Sequence, residues 1–139
     1  MVLDELRSNQ HISAKLDMIF TLSGIKEIAF PTNELLPEYI RLKKQIKGKG
    51  ESACLVYCKN YQHIIASSNT SDTLDYCRQH DIAYLTTLDI FCIAWKRNVL
   101  KPTEINKLIK MIQNNGSHLC CNSIQQHQKK HFQPEMLNY

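Results

Sequence analysis

Along this chain, apolar residues recur at helical spacing in some stretches and alternate with polar residues in others. Leu16, Ile19 and Phe20 sit about one turn apart and predict a helix from near Ser13 to Ser23-Gly24. A short helix over 3–9 precedes it. Ile25 to Phe30 alternates and then meets Pro31, which predicts a strand. Asn33 as a cap, or Pro37 as an opening residue, starts the next helix, with Tyr39, Ile40, Leu42 and Ile46 on its inner side. Gly48-Lys49-Gly50 is a break, and the apolar run from Glu51 to Cys58 predicts a buried helix. His63 to Ala66 reads as a short strand, followed by Ser67-Ser68-Asn69-Thr70, residues that cap helices. A helix from about Ser71 to His80 comes next, then a strand from Ile82 to Leu85. Thr86-Thr87 opens a helix running to about Arg97. Pro102 starts the last clear helix, striped by Ile105, Leu108, Ile109 and Ile112 and stopped by Asn114-Asn115-Gly116. From Ser117 the chain is polar, and residues 115–139 are expected to form a partly disordered tail.

Strands alternating with helices predict one α/β domain over residues 1–114, a mostly parallel sheet with helices on both faces. Ligands of such sheets bind beyond the C-terminal ends of the strands. That rule makes Ser67, Ser68, Asn69, Thr86 and Thr87 a candidate polar pocket. No internal repeat is visible.

Composition adds limits. The 139 residues suit one domain, and a hydrophobic share of 43% is ordinary for a globular protein. No apolar run is long enough to cross a membrane, and Met1-Val2-Leu3-Asp4-Glu5 lacks the basic and apolar parts of a secretory signal. The six cysteines, with Cys54 and Cys58 spaced to share a helix face, read as free thiols in a reducing cytoplasm. The net charge of +4 permits an anionic partner such as RNA. Arg41, Lys43, Lys44, Lys47 and Lys49 are the candidate phosphate contacts, with a solvated helix face as the plainer reading.

Three stretches resemble the PIN nuclease family, and the likeness runs from Val2 to about Lys110. Val2-Leu3-Asp4-Glu5-Leu6 resembles a family motif with a Glu early in a helix. Gly48-Lys49-Gly50-Glu51 resembles the Gly-x-Gly-Glu that opens a central helix in one branch. Ile64 to Asn69, together with Ala83 to Asp89 and its Thr-Thr turn, resembles the paired strands of the family's C-terminal half. The resemblance implies an Mg²⁺- or Mn²⁺-dependent ribonuclease of the toxin type, a hydrolase paired with an antitoxin. Carboxylates hold the hard cation, which binds phosphate oxygens and activates a water. Carried over, the metal and catalytic set is Glu5, Glu51 and Asp89, with Asp72 as a further metal ligand. Each also has a plain role as a first-turn helix carboxylate.

Two departures stand against activity. In this alignment the chain begins after the family's first strand, whose terminal Asp helps hold the metal. Ser67, Ser68 and Asn69 stand where the family often has acids. An alternative register puts Asp4 at the end of that strand, but only three residues precede it and the segment after it is polar. The expectation is a degenerate or truncated relative, weakly active or inactive, whose missing strand is covered by an antitoxin or by self-association. The alternatives are an active toxin ribonuclease and a non-catalytic RNA- or protein-binding module. Glu5, Glu51 and Asp89 are expected to face one pocket. His118, Cys120 and Cys121, with His127 or His131 nearby, suggest zinc, but adjacent cysteines do not form the usual Cys-x-x-Cys hook.

Overall fold

The computed structural model describes residues 7, 10–30, 32–46, 48–68 and 70–130, without the side chains of residues 10, 11 and 70–72. The elements run α1 (Gln10–Ser23), α2 (Leu36–Lys43), α3 (Lys49–Tyr61), β1 (Ile65–Ala66), α4 (Thr70–Gln79), β2 (Tyr84–Leu85), α5 (Thr87–Lys96), α6 (Pro102–Asn114) and α7 (Ile124–Lys130). The described fold is therefore mostly helical. The expected α/β sheet with helices on both faces is corrected to one two-stranded parallel pair, Ile65 opposite Tyr84 and Ala66 opposite Leu85. Strands need partners for their backbone groups. Ile25 to Phe30, expected as a strand, forms none, and its Ile25 and Ile28 are exposed.

The described chain divides into two compact units. The first comprises residues up to His63 together with Ser71–Ile82. Here Gly24, at φ +69°, ends α1 in the left-handed conformation that glycine adopts cheaply. Leu16 and Phe20 are half-buried, but Ile19 is exposed. Pro37 lies in the first turn of α2, which places Tyr39 and Leu42 inward, while Ile40, expected to face inward, is exposed. α2 packs along α3, whose Ala53, Leu55, Val56 and Cys58 are buried. Glu38 of α2 joins three partners. It accepts from Lys59 and Asn60 of α3, and from the Tyr76 hydroxyl of α4 at 3.4 Å. Phe30 meets the edges of Tyr39 and Tyr57 with ring centroids 5.9 and 6.3 Å apart.

The second unit comprises Ile64–Thr70 and the residues from Ala83 onward. It holds β1, β2 and helices α5 to α7, with α7 packed against α5 and α6. Its core is Leu88 and Cys92 of α5, Ile105 and Ile109 of α6, then Cys121 and Ile124. Ile105 and Ile109 are fully buried because their spacing of about one helical turn puts both on the face that meets the core. The polar stretch from Ser117, expected as a tail, carries α7 with Ile124 and His127 buried. Asn106 of α6 anchors its start, accepting the Ile124 N–H at 2.9 Å. Among the described residues, no helix is long and apolar enough to cross a membrane.

Candidate functional site

In the second unit, parallel pairing brings two hydroxyl-rich segments to the C-terminal ends of β1 and β2. The Ser67 N–H donates to the Leu85 carbonyl at 3.0 Å, one step beyond the strand pair. The Tyr84 hydroxyl donates to the Ser67 carbonyl at 2.9 Å. Ser68 and Thr87 share a hydroxyl–hydroxyl hydrogen bond of 2.9 Å on the surface. Ser67, Ser68, Thr86 and Thr87 thus lie together at the expected edge, while Asn69 is outside the described residues.

Asp89 stands in the first turn of α5, and local chemistry occupies it. Thr86 is the N-cap, accepting from the Asp89 N–H at 3.2 Å. Asp89 Oδ2 accepts in return from the Thr86 N–H at 2.8 Å and the Thr86 hydroxyl at 2.6 Å. This is a capping box, in which side chains satisfy N–H groups that the helix cannot. The second carboxylate oxygen, Oδ1, accepts from His127 Nε2 of α7 at 2.7 Å. His127 is only 2% exposed, so this bond satisfies a nitrogen removed from water.

The imidazole then links to a pair of thiols. With Nε2–H donated to a carboxylate, a neutral ring carries its lone pair on Nδ1. Nδ1 lies 3.8 Å from the Cys120 sulfur. Cys121 adjoins it, and the donor atoms of Cys120, Cys121 and His127 all lie within 4.8 Å of one another. Cys121 is buried in the unit's core and Cys120 is exposed. Burial, and then the neighbouring Cys121, push the Cys120 thiol above its ordinary value. The bends at residues 120, 122 and 123 let two adjacent side chains reach one imidazole, which a regular helix or strand would forbid. From sequence, the adjacent cysteines argue against zinc at His118, Cys120 and Cys121 with His127 or His131, and the Asp89–His127 link is not read. The Ile124–His127 spacing, about one helical turn, signals only that the histidine shares the apolar face, not its partner.

The remaining candidates belong to the first unit, are exposed, or lie outside the described residues. Glu51 belongs to the first unit, where its carboxylate folds back over Gly48 so closely that a side chain at position 48 would collide with it. That is the placement of a first-turn Glu at the start of α3. Arg41, Lys43, Lys44 and Lys49 are exposed in the same unit. Glu5 and Lys47 lie outside the described residues, as does the Asp72 side chain, so the expected pocket of Glu5, Glu51 and Asp89 lies partly outside them too. His118 is exposed, and His131 is outside the described residues.

A scan against protein-family models and searches of curated proteins and solved structures found no match to this chain.

Proposed function

We propose that this chain is a relative of the metal-dependent ribonucleases that contacts RNA but cuts it weakly or not at all. The observation that carries the reading is the engagement of Asp89. Both of its oxygens are occupied, by Thr86 on one side and His127 on the other. A carboxylate that caps a helix and holds a buried imidazole has already committed most of its lone-pair sites, so full engagement of Mg²⁺ or Mn²⁺ would cost it hydrogen bonds it now makes. Its neighbours Ser67, Ser68, Thr86 and Thr87 are neutral and bring no charge to a 2+ ion. The parallel β1–β2 pair and the hydroxyls at its edge support the kinship. Exposed Arg41, Lys43, Lys44 and Lys49 support contact with phosphates. The chain works in the reducing cytoplasm, where six free thiols persist, with RNA and an antitoxin or a second copy as partners.

The test has two arms. Fluorescence anisotropy with single-stranded RNA is expected to show binding that weakens as salt rises. Replacing Lys43 and Lys44 by Glu should weaken it across sequences and lower the salt slope by about one for each phosphate no longer neutralised. Incubation with RNA and Mn²⁺ is expected to yield at most background cleavage. Absence of binding at low salt would remove the RNA reading. Robust cleavage abolished by Glu51→Ala would instead establish the active ribonuclease.

A further inference from the structure

We propose that Cys120, Cys121 and His127 form a binding site for a soft divalent metal, zinc in the first place, with Asp89 as the residue that positions the imidazole. It shares Asp89 with the carboxylate chemistry considered above, but here Asp89 acts only through the imidazole, and the ion is of a different class.

Geometry comes first. A tetrahedral zinc with Zn–S of about 2.3 Å and Zn–N of about 2.0 Å separates a sulfur from a nitrogen by about 3.6 Å and two sulfurs by about 3.8 Å. The Cys120 sulfur is 3.8 Å from His127 Nδ1, close to the first of these spans. The three donors all lie within 4.8 Å of one another, so closing on an ion asks for shifts of no more than about 1 Å.

Donor chemistry comes second. Two thiolates neutralise a 2+ ion and a neutral imidazole completes three positions. Such a set selects zinc over magnesium, which prefers hard oxygen donors. The fourth position falls to water or to an external donor.

Orientation comes third. A metal-bound histidine commonly donates its other ring N–H to a carboxylate, which fixes the tautomer and the ring plane. Asp89 Oδ1 takes the Nε2–H of His127 at 2.7 Å, and leaves Nδ1 on the sulfur side. Asp89 is itself held by Thr86, so the support is anchored to α5 rather than to a mobile side chain. A Cys–His–Asp chain also suits a nucleophilic thiol. The second thiol, within reach of the same ring, has no place in that alternative.

The experiment uses the full chain, reduced and stripped of metal, titrated with Co²⁺ and then displaced by Zn²⁺. One equivalent of Co²⁺ should bind, giving the d–d bands of tetrahedral cobalt and a thiolate-to-cobalt charge-transfer band. Cys120→Ser and His127→Gln should abolish both signals. Asp89→Asn should keep the bands but weaken affinity by about ten- to a hundredfold, as loss of such outer partners does. Cys54→Ser, in the other unit, should change nothing. A wild-type protein that shows no thiolate band overturns the proposal without recourse to any variant. So does a band that survives Cys120→Ser and disappears in Cys54→Ser.

Discussion

At Glu38 a single carboxylate receives three side-chain donors. Burial alone would raise its pKa, but hydrogen bonds from Lys59 and Asn60, the Lys59 charge and the Tyr76 hydroxyl outweigh that, and the group sits below its ordinary value. Its partner moves the other way. Burial, then the Glu38 charge, push the Tyr76 hydroxyl up to about 12. The signs give a window. A lowered carboxyl contributes stability that is present above its unfolded value and lost as pH falls through the folded one. A raised phenol contributes stability below its ordinary range that is lost as pH climbs towards about 12. Glu38→Gln should therefore cost about 1–2 kcal/mol at neutral pH, reduced from a fully buried charge-assisted bond because water still reaches the site. Urea melts at several pH values should show the gap between wild type and variant closing in acid. A gap that stays constant down to the acid transition would refute the assignment.

At the scale of elements, α5 offers the clearest comparison. Thr86 and Thr87 are adjacent hydroxyls, yet only Thr86 closes the capping box with Asp89. Thr86→Ala is expected to destabilise by about 1 kcal/mol, up to about 2, since the cap is lost and Asp89 gives up the hydroxyl donor. Thr87→Ala removes only an exposed bond to Ser68 and should stay within about 0.5 kcal/mol. Equal losses in chemical denaturation would contradict this ordering. The same helix shows what the amino acids announce on their own. Its start at Thr86-Thr87 is readable, because threonine followed three residues on by a carboxylate is a local signal. The opening of α2 by Pro37 and the Ile105–Ile109 face of α6 are readable for the same reason. What failed is non-local. Alternation from Ile25 to Phe30 resembles a strand, but a strand exists only if another chain segment pairs with it, and no local pattern reports that. The short parallel pair of β1 and β2 was legible, and among the described residues the wider sheet expected around it does not form. Asp89 reads from sequence either as a first-turn helix residue or as a metal ligand, and the capping box is the role seen. His127, thirty-eight residues away, occupies its second oxygen, and that separation hides the pair from sequence.

For the whole molecule, the thiols provide a test that samples both units at once. All six cysteines are free; Cys54 and Cys120 are exposed, while Cys58, Cys77, Cys92 and Cys121 are buried. Burial first, with nearby charges at Cys58 and Cys92, pushes Cys58, Cys77 and Cys92 up to about 11, so at neutral pH they are almost wholly protonated as well as shielded. Cys54 is raised by burial and by the Glu51 carboxylate, so its exposure does not make it a fast nucleophile. Thiolate is the reactive form, and access and protonation both limit its supply. In native protein with a chelator present, a thiol reagent should therefore label two cysteines first, at rates that rise with pH, one in each unit. The other four should react only as the fold opens, so their rates report the stability of the core that holds them. In denaturant without reductant, all six should titrate. Finding two or fewer there would mean that disulfides had formed, which would overturn both the packing described and the reducing compartment proposed. Adding Zn²⁺ to the native sample should protect Cys120 and leave Cys54 labelled at its former rate. Peptide mass analysis distinguishes the two sites, and equal protection of both would count against a metal held by Cys120, Cys121 and His127.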